Sequence, residues 1–146
     1  MKMIALLTAM TAFAVGCAGE EETPSASPNV ATPPQNSSVI AQVPAPAMAY
    51  VRSVNQNNLD SLVLAFAETG TVVDVTRRIE GRSAIRTWAR NEVMGASLQV
   101  LSVDQQTPNR VRLLVHWAPR GSAGWRAYYT FTYENGLVTL ADLQYA

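Results

Sequence analysis

The chain has 146 residues, and its 11 basic residues are balanced by 11 acidic ones. This length allows one domain together with an additional segment, and the absence of a basic excess argues against a nucleic-acid-binding surface. Because the chain has a single cysteine, an internal disulfide is excluded.

The first 16 residues join one lysine to an apolar run from Ile4 to Val15. A permanent membrane-spanning helix needs about 20 apolar residues, so this shorter run predicts a signal peptide. Residues 14–17 read AVGC and resemble the lipobox of bacterial lipoproteins. The resemblance implies transfer of a diacylglyceryl group to the Cys17 thiol, cleavage before Cys17, and acylation of the new amine with a chain such as palmitate. These lipids would form a membrane anchor. The alternative is an ordinary secretory signal in which Cys17 is incidental.

Export and lipid anchoring would place the protein in the bacterial cell envelope. The residue after the cysteine is Ala18, which resembles lipoproteins sorted to the periplasmic side of the outer membrane in Gram-negative hosts. Residues 17–46 hold six of the eight prolines and few large apolar side chains. This composition predicts a disordered tether, with the folded domain at residues 47–146.

Apolar residues recur at intervals of three and four in the first half of the domain, which predicts three helices. The first contains Tyr50, the second follows an N-cap at Asn58, and the third runs from Arg82 to about Met94. The second helix is predicted to continue through Phe66, followed by a short strand over residues 71–73.

From residue 98 the apolar pattern alternates, which predicts an antiparallel meander of four strands. Their sequences are LQVLSVDQ, RVRLLVHWA, GWRAYYTFTYE and LVTLADLQYA. Three helices followed by a meander predict an α+β fold with the helices on one face of the sheet. The other face is predicted to be solvated or to pair with a second subunit in a homodimer.

Three stretches carry a resemblance to a known superfamily: YVRSVNQNNLDSLVLAFAETGTVVD, GRSAIRTW and YYTFTYENGLVTLADLQY. Their order and spacing resemble the NTF2-like superfamily, in its SnoaL-like and ketosteroid-isomerase-like branch. The resemblance implies a cone in which three N-terminal helices pack on a strongly curved, mostly antiparallel sheet. An apolar pocket is expected at the open end of this cone.

The resemblance also assigns candidate catalytic residues. Asp74 matches the proton-shuttling base of the isomerases, and Tyr50 matches their oxyanion donor. The second acidic donor does not carry over, because its position falls near Ala127 or Tyr128; the hydroxyl of Tyr129 is a substitute. The alternatives are that Asp74 ties down a turn and that Tyr50 is a core aromatic residue.

Five large side chains are expected to line the ligand pocket: Phe66, Trp88, Trp117, Tyr129 and Phe131. Strand alternation predicts that His116 points away from the pocket, unless a bulge reverses it. Glu92 lies on the inward stripe of its helix and is expected to pair with an arginine, to end the stripe or to reach the pocket. Asp104 and Asp142 on late strands are further candidates for facing the cavity.

The sequence contains no His, Cys and Asp cluster at metal-ligand spacing and no phosphate-binding loop. We therefore predict neither a metal nor a cofactor. The preferred function is an envelope lipoprotein that binds a small hydrophobic molecule or assembles as a homodimer, without catalysis. The alternative is an isomerase, cyclase or dehydratase that transfers protons through Asp74 with help from Tyr50. These functions differ in whether Asp74 lies beside Tyr50 around an empty space.

Overall fold

A computed structural model describes residues 36–146. The predicted signal peptide, Cys17 and residues 18–35 lie outside the described residues. The helices are α1 Ser37–Ile40, α2 Ala45–Asn55, α3 Leu59–Leu64 and α4 Gly81–Trp88, and a π-helical turn follows at Ala89–Val93. The strands are β1 Phe66–Asp74, β2 Arg77–Glu80, β3 Ser97–Thr107, β4 Arg110–Ala118, β5 Trp125–Glu134 and β6 Leu137–Tyr145. Over residues 36–146, no helix combines the length and apolarity needed to cross a bilayer.

The six strands form one sheet in the order β2-β1-β6-β5-β4-β3. Strands β1 and β6 are parallel, and every other neighbouring pair is antiparallel. Register shifts interrupt the β3–β4 and β5–β6 pairings, and such bulges bend strands. The helices pack in the concavity of this curved sheet, which confirms the predicted α+β cone.

Secondary structure is present before residue 47, where we predicted that the folded domain begins. Helix α1 and the first residues of α2 lie within residues 37–46, and Val43 is buried in the core. Pro44 is the N-cap of α2, and Pro46 lies in the first helical turn. A proline is tolerated there because the first backbone amides of a helix need no partner within the helix. Prolines that indicated disorder therefore begin a helix.

The second helix is shorter than predicted, because Phe66 begins strand β1 instead of continuing α3. The β1–β6 register shifts between Phe66 and Thr71, so the strand starts with an irregular segment. Arg82 stabilises this segment by donating from Nε and Nη2 to the Phe66 carbonyl oxygen, at 2.9 and 2.7 Å. A Cβ on Gly70 would lie 2.9 Å from the Ala67 carbonyl oxygen, so Gly70 permits a close backbone approach and does not end a helix.

Alternation along β4 and β5 determines which side chains face the helices. On β4 the buried residues are Val111, Leu113, Val115 and Trp117, and on β5 they include Ala127, Tyr129 and Phe131. His116 is half-buried on the outer face, opposite Arg126, because no bulge interrupts the β4–β5 register. Asp142 also points away from the core, since its neighbours on β6 are buried, and Asp104 is exposed.

Candidate functional site

A cavity of about 220 Å³ lies between the helices and the concave face of the sheet. Its aromatic lining consists of Tyr50, Trp88, Trp117, Trp125, Tyr129 and Tyr145. These include all three tryptophans of the chain. Its charged lining residues are Asp74, Arg77 and Glu92. The cavity therefore combines a largely aromatic wall with a small group of charges.

Tyr50, on α2, is completely buried and forms the floor of the cavity. Its ring centroid lies 6.0 Å from that of Phe66, 5.1 Å from that of Phe131 and 6.3 Å from that of Tyr129. Its hydroxyl has no hydrogen-bond partner among residues 36–146. Burial, and secondarily the charge of Asp74, raise the pKa of Tyr50, so its hydroxyl is a neutral phenol at physiological pH.

Tyr129, on β5, is a second phenol that lines the cavity. Burial raises its pKa well above the ordinary value, and the proximity of Tyr50 and Asp74 adds to this effect. Neither position considered for the second acidic donor serves as one. Ala127 has no polar side-chain group, and Tyr128 lies on the outer face, where the Arg112 guanidinium is 3.9 Å from its ring centroid.

Asp74 ends strand β1 and lines the same cavity as Tyr50. Its Oδ2 atom accepts hydrogen bonds from the Arg77 guanidinium and from Trp88 Nε1, the latter at 3.3 Å. In the part of the chain that the structure describes, no backbone amide donates to this carboxylate. The adjoining turn is held instead by the Val75 amide, which donates to the Leu143 carbonyl at 2.9 Å. Asp74 therefore faces the cavity and does not cap the turn.

Arg77 connects Asp74 to Glu92 across the mouth of the cavity. Its Nη1 and Nη2 atoms donate to the two carboxylate oxygens of Glu92, at 2.9 and 2.6 Å. The hydrogen bond and charge of Arg77 hold the pKa of Glu92 below its ordinary value, against the effect of partial burial. Glu92 belongs to the π-helical turn, a rare conformation that is frequent at functional sites.

The structure separates the five predicted pocket residues into two groups. Trp88, Trp117 and Tyr129 line the cavity. Phe66 and Phe131 do not: they are fully buried, and both rings pack against the ring of Tyr50. The sequence predicted that these two residues line the pocket, but they belong to the core.

Six lining residues were not identified from the sequence as pocket residues: Arg77, Val93, Pro119, Trp125, Leu143 and Tyr145. Trp125 and Tyr145 lie at strand ends, where an aromatic side chain does not need to be buried, and they are 40% and 65% exposed. Strand alternation was the available signal, because Trp125 shares a face of β5 with Tyr129 and Tyr145 shares a face of β6 with Leu143. Arg77 had none, because its polar neighbours predicted only a loop.

The described residues contain no group of three or more His, Cys, Asp or Glu side chains that could hold a metal ion. The charged lining residues are two carboxylates and one guanidinium, already joined to one another. The arrangement can therefore bind a molecule against aromatic rings and two phenols, or place a carboxylate near a proton of a bound molecule.

No protein-family model matches the sequence, and no curated protein matches it. Solved structures do match. A polyketide-cyclase-like protein from Sinorhizobium meliloti has a TM-score of 0.63 at 19% identity, over 72% of this chain and 98% of its own. The Δ5-3-ketosteroid isomerase from Mycobacterium sp. has a TM-score of 0.60 at 12% identity, over 74% and 92%.

A third similar structure is Rv0760c from Mycobacterium tuberculosis in complex with estradiol-17β-hemisuccinate. Its TM-score is 0.61 at 13% identity, over 69% of this chain and 91% of its own. At such low identities the likeness concerns the fold alone. The chain therefore has the NTF2-like fold that these isomerase-like and cyclase-like structures share.

Proposed function

We propose that the domain binds a small, largely hydrophobic molecule in the cavity beside Tyr50, without converting it chemically. The observation that carries this proposal is the buried Tyr50 hydroxyl, which has no partner among residues 36–146. A buried hydroxyl without a partner costs about 1–3 kcal/mol, which a polar group of a bound molecule would recover. The aromatic lining suits the apolar part of such a molecule. The complex of Rv0760c with a steroid derivative supports binding by this fold.

The contacts of Asp74 favour binding over catalysis. A general base in these folds must offer a free lone pair to a C–H group of the substrate. In this chain the guanidinium of Arg77 contacts the carboxylate directly, and Trp88 donates to the same oxygen. Both contacts compete with a substrate proton. The side chain of Asp74 is also 23% exposed, whereas a dry site favours proton abstraction.

Proton transfer remains a second candidate function, because Asp74 and Tyr50 line one cavity. In this alternative Asp74 would move a proton next to a carbonyl, and the neutral phenols of Tyr50 and Tyr129 would donate hydrogen bonds to the developing oxyanion.

The first test of binding uses Tyr50→Phe, with Tyr133→Phe, whose side chain does not line the cavity, as the matched control. Without ligand, Tyr50→Phe should raise the free energy of unfolding by about 1–2 kcal/mol, because it removes an unpaired buried hydroxyl. The control should have little effect. In titrations with hydrophobic ketones and alcohols, followed by tryptophan fluorescence, Tyr50→Phe should weaken binding about tenfold. Loss of stability in Tyr50→Phe without any change in affinity would show that the hydroxyl serves folding.

The test of catalysis is the double-bond isomerisation of small β,γ-unsaturated ketones. The binding proposal expects no turnover above the rate in buffer. Turnover that falls by about 10²-fold or more in Asp74→Asn, with the ketone still bound, would establish the second candidate instead.

We also propose that the chain is exported, lipid-anchored through Cys17 and dimeric through the outer face of the sheet. The lipobox-like AVGC stretch supports the anchor. Metabolic labelling with an alkyne fatty acid should mark the wild type and not Cys17→Ser.

Half-buried Leu114 and Tyr128 on the outer face support the dimer. Sedimentation should show a dimer that Leu114→Glu dissociates; a monomeric wild type would contradict it.

A further inference from the structure

A small recess of about 50 Å³ adjoins the cavity at its mouth. Four aromatic side chains surround it: Trp117, Trp125, Tyr129 and Tyr145. The ring centroids of Trp117 and Tyr129 are 6.2 Å apart, and those of Trp125 and Tyr145 are 6.0 Å apart. Two aromatic pairs therefore wall this space, which we call the aromatic recess.

The charge at the aromatic recess is negative. Asp74 is its only charged lining residue among those the structure describes. Both hydrogen bonds to this carboxylate end on Oδ2, so Oδ1 has no donor within residues 36–146. The single guanidinium of Arg77 is shared between Asp74 and Glu92. Among the residues that line the cavity and the recess, two carboxylates and one guanidinium leave one negative charge in excess.

A cation fits this combination better than a neutral group. The faces of aromatic rings attract cations through the ring quadrupole, with tryptophan the strongest, and groups of such rings bind quaternary ammonium ions. A carboxylate with a free oxygen adds a direct charge interaction. A neutral apolar head group in the aromatic recess would cover Oδ1 without replacing its hydration and without an opposite charge, which carries a cost.

We propose that the molecule bound in this cavity is an organic cation with an apolar body. Its quaternary ammonium or protonated amine would occupy the aromatic recess, and its body would extend toward Tyr50. This inference rests on the proposed function, because it names the chemical class of the molecule bound at the same site. The fully buried hydroxyl of Tyr50 in the adjoining cavity has no hydrogen-bond partner among residues 36–146. It is an independent sign that the site binds a molecule.

The test compares two probes of the same shape, trimethylphenylammonium and its neutral carbon isostere tert-butylbenzene. Binding to the full chain in a nonionic detergent is followed by tryptophan fluorescence, which reports on this cavity because all three tryptophans line it. We expect the cation to bind about tenfold more tightly than the isostere. Asp74→Asn should reduce this preference below about threefold, and Asp104→Asn on β3 should preserve it. Partitioning into detergent cancels when variants are compared in the same solution.

A second variant tests the inference even if Asp74→Asn does not fold. Trp125→Leu removes a half-exposed ring, and it should weaken binding of the cation several-fold more than binding of the isostere. Equal saturable binding of both probes to the wild type would overturn the cation inference and leave the proposed function standing. A preference that survives in Asp74→Asn would also overturn it. Saturable binding of neither probe would overturn the cation inference, and the proposed function would fall with it only if the hydrophobic ketones and alcohols also failed to bind.

Discussion

The closed base of the cone and its open mouth are built on the same strands, but they stabilise the protein in different ways. We define the base by Phe66, Phe131 and Leu62, all fully buried, and the mouth by Arg77 and Trp125, which are exposed. In the base, aromatic rings and aliphatic side chains exclude water. At the mouth, charges and rings remain in contact with solvent.

Tyr50 lies at the border between these two regions. Its ring packs with Phe66 and Phe131 as part of the base, and its hydroxyl has no partner in the described part of the chain. One residue can therefore contribute to folding through its ring and to binding through its oxygen. Substitutions in the base should therefore change stability, and substitutions at the mouth should change binding.

The largest expected effect is the contrast between Phe131→Ala in the base and Trp125→Ala at the mouth. Removing the ring of Phe131 should cost about 3–5 kcal/mol of unfolding free energy, because a buried cavity remains. Trp125 is 40% exposed, so its removal should cost much less, about 1 kcal/mol or below. Urea unfolding of both variants measures the difference. Similar losses would mean that the mouth also belongs to the folding core.

A second prediction concerns the stability of the protein at alkaline pH, which depends on the two buried phenols of Tyr50 and Tyr129. Burial raises the pKa of Tyr50 and Tyr129 above the ordinary value of 10.0. Above pH 10 the unfolded chain therefore releases protons that the folded chain retains, and stability falls as pH rises. The slope should approach roughly 1.4 kcal/mol per pH unit for each tyrosine. Unfolding curves between pH 9 and 11 provide the measurement.

The matching spectroscopic result is a tyrosinate absorbance titration in which these two tyrosines ionise only when the protein unfolds. Tyr50→Phe should remove one of them and reduce the steepness of the alkaline slope by roughly 1.4 kcal/mol per pH unit. An unchanged slope in that variant would show that the Tyr50 hydroxyl of the wild type is accessible to solvent and ionises in the folded protein.

The smallest expected effect belongs to Glu92 at the mouth. Its pKa is lowered by Arg77, so its contribution is present at neutral pH and is lost as pH falls through the folded-state pKa. Because its side chain is 45% exposed, Glu92→Gln should cost less than about 1 kcal/mol at pH 7. The difference from wild type should shrink as pH falls below 4.5 and be lost at the lowest pH at which the protein stays folded. A difference that persists at that pH would mean that Glu92 acts through packing.

Much of the fold was predictable from local patterns. Alternation along β4 and β5 correctly predicted which side chains face the helices, because a strand has a side-chain period of two wherever it lies. The pattern failed at Phe66, where helical spacing and strand geometry both bury the same side chain. The choice was made by non-local contacts, namely pairing with β6 and the hydrogen bonds from Arg82.

The candidate site shows the same division. The sequence by itself determined the residue types, the strand alternation and the place of Asp74 at the end of β1. Tertiary structure alone decided that Arg77 joins Asp74 to Glu92, which is 15 residues away from it. It also decided that Trp125 and Tyr145 meet beside them. These contacts depend on where separate strand ends and the π-helical turn converge, and sheet curvature, a property of all six strands together, sets that convergence.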